Sequence, residues 1–143
     1  MVIPKTIEAF LAEFYKSVEL KATLGNQRIN QFYERVLKVE DEILVEAVIQ
    51  IIEERKRPNY WIDDQRIASA ILIKINPKST KQFEEIFLRI VNKIDKSVYD
   101  FPKWLKVNYE MDHIQKWIAK LEPQLDKKEL DYLNTFKFWL RNI

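Results

Sequence analysis

The chain has 143 residues with no cysteine, a single glycine, 47% apolar and 32% charged residues, and a formal net charge of +2. Without cysteine there is no disulfide framework, no zinc–thiolate centre and no thiol nucleophile. With only Gly25 there is no glycine-rich phosphate loop, and a sheet protein, which needs several glycines for turns and bulges, is disfavoured.

Charge is spread rather than blocked. Residues 1–40 carry six Lys or Arg against five Asp or Glu, 41–62 three against five, 63–99 seven against five, and 100–143 eight against seven. No segment is a basic run of the kind that neutralises consecutive phosphates. Met1-Val2-Ile3-Pro4-Lys5 leads straight into an amphipathic stretch, so no signal peptide is expected. The longest apolar run, Ile67 to Ile73 with Ser69 inside it, is far short of the ~20 residues that span a bilayer. A soluble cytoplasmic chain without a membrane partner is the expectation, and its length suits one domain over 1–143.

The first helix is predicted from about Lys5 to Ala22, capped by Thr6, with Ile7, Phe10, Leu11, Phe14, Tyr15 and Val18 on one face. Gly25 supplies a left-handed stop, and Asn26 caps a second helix with the stripe Ile29, Phe32, Tyr33, Val36 and Leu37. A third opens at Asp41, turns Ile43, Leu44, Ala47, Val48, Ile51 and Ile52 inward, and fades in Arg55-Lys56-Arg57 before Pro58. After the loop Pro58-Asn59-Tyr60-Trp61, Asp63 or Asp64 caps a fourth helix through Ile75. That helix is apolar almost all round, which predicts cover on more than one side and a central place.

Asn76-Pro77-Lys78 ends the fourth helix, and Ser79-Thr80-Lys81-Gln82 reads as a capping box for a fifth. Its stripe is Phe83, Ile86, Phe87, Ile90, Val91 and Ile94. Asp100-Phe101-Pro102 starts a short helix to about Tyr109. Asp112 caps another, with Ile114, Trp117, Ile118 and Leu121, stopped by Pro123. Asp126 and Glu129 form a capping box for the last, with Leu130, Leu133, Phe136, Leu140 and Ile143. The fold class is therefore all-α, with seven or eight short helices.

Capped starts at Asp41, Ser79 and Asp126 are 38 and 47 residues apart, intervals that bracket the length of helical-pair repeats. The segment Asp64-Gln65-Arg66-Ile67-Ala68-Ser69-Ala70-Ile71-Leu72 resembles the second-helix signature of HEAT and armadillo repeats, its small and leucine positions displaced by about one. The resemblance implies an α-solenoid of about three helical pairs, in which the Asp and Arg tie neighbouring repeats together. A compact irregular helical bundle is the alternative.

Catalytic patterns are sparse. The only histidine, His113, forms Glu-x-x-His with Glu110, half of a di-iron site that needs a second such pair. Asp126 with Glu129 is the one acidic pair at three-residue spacing, and capping explains it. Glu53-Glu54 and Asp63-Asp64 bracket the aromatic loop and could converge there, although solvation for Glu53-Glu54 and helix capping for Asp63-Asp64 are the simpler roles. Ser17, Ser69, Ser79 and Ser97 have no supporting base pattern. The expectation is no enzyme, no cofactor and no metal.

Binding is the positive expectation. Glu42, Glu46, Gln50 and Glu53 make an acidic row on the third helix; Lys81, Glu85, Arg89 and Lys93 make a mostly basic row on the fifth. In a solenoid such rows lie side by side and face a partner; the alternative is two ordinary solvated faces. Tyr60 and Trp61 on the loop are candidate anchors. The chain resembles, by type rather than motif, small bacterial immunity proteins, which implies a toxin domain as protein partner. The competing reading is a HEAT-like nucleic-acid binder using Lys81, Arg89, Lys93 and Lys96.

Overall fold

The computed structural model describes residues 2–142, apart from the side chain of Ala22. Met1 and Ile143, the latter the last member of the final predicted stripe, lie outside the described residues. Among those residues the chain is helical without strands: α1 (Ile7–Leu24), α2 (Gln27–Val36), α3 (Asp41–Glu54), α4 (Trp61–Ile75), α5 (Phe83–Ile90), α6 (Asp100–Asn108), α7 (Met111–Leu121) and α8 (Lys127–Asn142), with a 3-10 turn at Glu122–Gln124. Among the described residues no helix is long and apolar enough to cross a membrane.

Caps explain several boundaries. Thr6 Oγ1 accepts from the amide of Ala9 at 3.1 Å and starts α1. Gly25 ends it with φ 60° and ψ −142°, a region essentially reserved for glycine. No atom lies within 4 Å of where a Cβ would stand, so Gly25→Ala tests backbone strain alone. It should cost about 1–2 kcal/mol, read as a lower urea midpoint with an unchanged slope. At α8 the reciprocal box forms, with Asp126 Oδ1 accepting from the Glu129 amide and Glu129 Oε1 from the Asp126 amide.

Other predicted caps are displaced. α4 begins at Trp61, so Asp63 and Asp64 stand inside its first turn, where the helix dipole favours carboxylates. Ser79 accepts from the Lys81 amide in a local turn, and α5 starts four residues later at Phe83. The carboxylates of Asp41 and Glu42 reach instead to the amides of Lys78 and Thr80. They pin the α4–α5 loop to the start of α3. Asp100 and Asp112 likewise fall within the first turns of α6 and α7.

The helices pack as a ladder of two rows. α1 touches α3 and α3 touches α5; Phe83 and Glu84 of α5 meet His113 of α7. In the other row α4 touches α6 and α6 touches α8, while Lys74 of α4 lies over the Tyr33 ring of α2. Cross-rungs join α1 to α2 and α3 to α4. Asp126 therefore opens a helix of the second row, so the interval from Ser79 to Asp126 compares unlike helices.

The hub is α3, not α4. Leu44, Val45, Ala47, Val48, Ile49, Ile51 and Ile52 are all buried, because α1, α4 and α5 surround this helix. α4 is covered by α3 and α6, yet Ile67, Ile73 and Ile75 stay half-buried. Phe10, Phe14 and Phe32 pack at one end of the core, and Phe83, Phe87, Phe136, Phe101 and Trp104 toward the other. Trp104 is fully buried and donates from Nε1 to the carbonyl of Pro77 at 3.0 Å, so it belongs to the core.

Candidate functional site

Two charged rows meet along the seam between α3 and α5, and they pair with each other. Arg89 forks onto Glu46 at 2.7 and 2.7 Å and onto Glu53 at 3.0 and 2.5 Å. Glu46 also receives Gln50 at 2.9 Å and the Lys81 ammonium at 3.3 Å. Glu42 accepts from the amide and hydroxyl of Thr80. The rows predicted to lie side by side do so, and most of their charge is satisfied across the seam. Glu85 and Lys93 remain exposed, and Leu88 between them is 55% exposed.

This network is partly shielded from water. The side chain of Glu46 is 15% exposed, those of Glu53 and Arg89 about one third. The Arg89 hydrogen bonds, aided by Gln50 and Lys81 and opposed by burial, hold the Glu46 pKa at about 2 against an ordinary 4.5. Glu46 and Glu53 in turn push the Arg89 pKa upward.

The seam continues through a residue that the sequence reading did not single out. Arg55 ends α3 with φ 46° and ψ 46°, in the left-handed region uncommon for a side-chain-bearing residue. Its guanidinium donates twice to the Lys93 carbonyl at 3.0 and 2.8 Å and lies 4.0 Å from the Trp61 ring centroid. The same carbonyl receives Gln65 Nε2 at 2.9 Å. Gln65 is fully buried, donates also to Ile52 O, and accepts from the Asp95 amide at 2.8 Å. One glutamine thus ties the ends of α3 and α5 to α4. Its position in the repeat-like segment was visible, but nothing local marks a glutamine as buried.

Trp61 is half-buried beneath Arg55, a covered platform where the sequence suggested an exposed anchor. Tyr60 is 55% exposed and turns to the other side of the loop, with Arg57 4.8 Å from its ring centroid. Arg57 forks onto buried Asp64 at 2.8 and 2.6 Å. Lys56 lies over Tyr15 at 4.6 Å, whose hydroxyl pKa is driven up by burial and by Glu54 and Asp64. Arg55-Lys56-Arg57, read as a fading helix end, is a triplet in which each cation sits on a different ring.

Glu42, Glu46, Glu53, Lys81, Arg89, Lys93 and Trp61 therefore form one strip, with Arg55 as its link, and Glu85 lies on its α5 side. Tyr60 does not join it. The adjacent carboxylates at the loop diverge: Glu53 goes to Arg89, Asp63 to Arg66 and Asp64 to Arg57. His113 Nε2 stands 3.5 Å from Glu84. Among the described residues, no group of three or more His, Cys, Asp or Glu is placed to hold a metal ion. No family model, no curated protein and no solved structure matches the chain.

Proposed function

We propose that the chain is a non-catalytic protein-interaction module, HEAT-like in its stacked helical pairs, which docks a partner on the α3–α5 strip. Within that class we place it with immunity-type proteins that occlude a bacterial toxin domain. The observation that carries the reading is the bidentate Glu46–Arg89–Glu53 lattice beside exposed Leu88, Glu85 and Lys93. Side chains already fixed by one another lose little rotamer freedom on docking, and an apolar residue among oriented charges matches the anatomy of protein interfaces. The pairing also argues against phosphate as the ligand: Lys81 and Arg89 are neutralised in place, and Lys96 pairs with Asp131.

Affinity purification of the full chain from its native cells tests this. The wild type should retain one stoichiometric protein, and co-expression should suppress that protein's toxicity. Leu88→Asp, or the reversal Glu85→Lys with Lys93→Glu, should weaken binding about tenfold or more with unchanged circular dichroism. Retention of the same partner by all variants places docking elsewhere. Nuclease-sensitive retention that falls steeply with salt replaces the reading with nucleic-acid binding.

A further inference from the structure

A slot of 260 Å³ lies between α7 and α8, on the last rung of the ladder and apart from the α3–α5 strip. Met111, Ile118, Ala119 and Leu140 line it, with Gln115 between them. The α7 members fall at 111, 115 and 118/119, and Glu122 of the following 3-10 turn continues the row, the three-and-four spacing that seats another helix, over about 16 Å. Ile118 and Leu140 at its base are buried, Met111 is half-buried, and Gln115 and Ala119 are exposed, so the outer edge of this stripe faces solvent.

Its rim is charged in a self-complementary way. Glu122 closes one end and holds Lys137 at 3.2 Å. Arg141 stands one turn beyond Lys137 on α8, exposed, and makes no ion pair among the described residues. An acid and an unpaired base at different places along one groove are what a two-fold axis can match.

We infer that this slot is an isologous homodimer interface, in which α7 and α8 pack on the same helices of a second copy and each Arg141 meets the partner copy's Glu122. A two-fold interface repeats every contact, so one unpaired cation per chain becomes two ion pairs per dimer. Met111 and Ala119 offer the apolar contact, and the rim sets the register. With two helices per side, the dimer is a weak one, at the low end of interface size.

Sedimentation equilibrium of the full chain, run over rising concentration, tests it. The mass should climb from 17.3 kDa toward twice that value in the micromolar range. Ala119→Glu, at an exposed helical position, should leave the circular dichroism unchanged and hold the chain monomeric. Arg141→Glu alone and Glu122→Arg alone should each weaken dimerisation at least tenfold, since each puts like charges together twice. Mixing those two variants should restore the dimer, because both contacts in the mixed pair are then opposite in sign. A chain monomeric throughout, an association indifferent to Ala119→Glu, or a mixture no tighter than its components would each overturn the proposal.

Discussion

Arg89→Met should destabilise the protein by about 2–3 kcal/mol at neutral pH, between the range for exposed pairs and that for buried ones. The reason is the company it leaves behind. Glu46 and Glu53, both on α3, would lose the cation they share across the seam, with Lys81 alone left to offset Glu46. Urea denaturation measures the loss, and a change below about 0.5 kcal/mol would mean the lattice behaves as a solvated surface pair. The triple change Arg89→Met, Glu46→Gln and Glu53→Gln should recover much of the stability, since no charge is then stranded.

The same lattice sets an acid dependence. The Glu46 pKa lies at about 2 when folded and near 4.5 without its partners. On acidification the unfolded chain takes up this proton first, so stability is lost as pH falls through that window. The contribution is fully present above about 4.5 and gone below about 2, with a size of roughly 3 kcal/mol. In Arg89→Met that part of the acid profile should flatten. A variant profile parallel to the wild type between pH 4.5 and 2 would remove Arg89 as the cause.

Gln65→Leu should cost about 3 kcal/mol despite the added apolar surface. Three hydrogen bonds end on this amide, and its loss leaves the Ile52 carbonyl and the Asp95 amide without their partner. The Lys93 carbonyl keeps Arg55. Gln65→Glu discriminates lost packing from lost hydrogen bonding. The introduced carboxylate can accept from Asp95 but cannot donate to two carbonyls, so at neutral pH it should be at least as damaging as leucine. Stability should then rise on acidification, because burial and the carbonyls raise the new group's folded pKa and the folded state binds the proton first. Thermal unfolding across pH checks this; a pH-independent Gln65→Glu would show that the site is open to water.

The helical content, and most of the buried faces, were legible in the residues. Phe10, Phe14 and Val18, or Phe83, Ile86, Phe87 and Ile90, recur at a spacing that leaves one face to bury, and all are buried. Helix starts were less legible where several polar residues competed. Asp63, Asp64 and Ser79 each have cap chemistry, but Asp64 is held by Arg57 and Ser79 by a local turn. The importance of α3 over α4 was also hidden, because hydrophobicity around a helix does not say how many neighbours will cover it.

Local order along the chain determined the helices, their buried stripes and the two charged rows, since three-and-four spacing acts over a few residues and needs no distant partner. Which charges meet was decided only by tertiary stacking. Arg89 reaches Glu53 and Glu46 across 36 and 43 residues, and Arg55 and Gln65 converge on one carbonyl 38 and 28 residues away. Those distances close because the buried faces of α3, α4 and α5 set their register first, and polar side chains then bond with whatever that register brings within 3 Å or so.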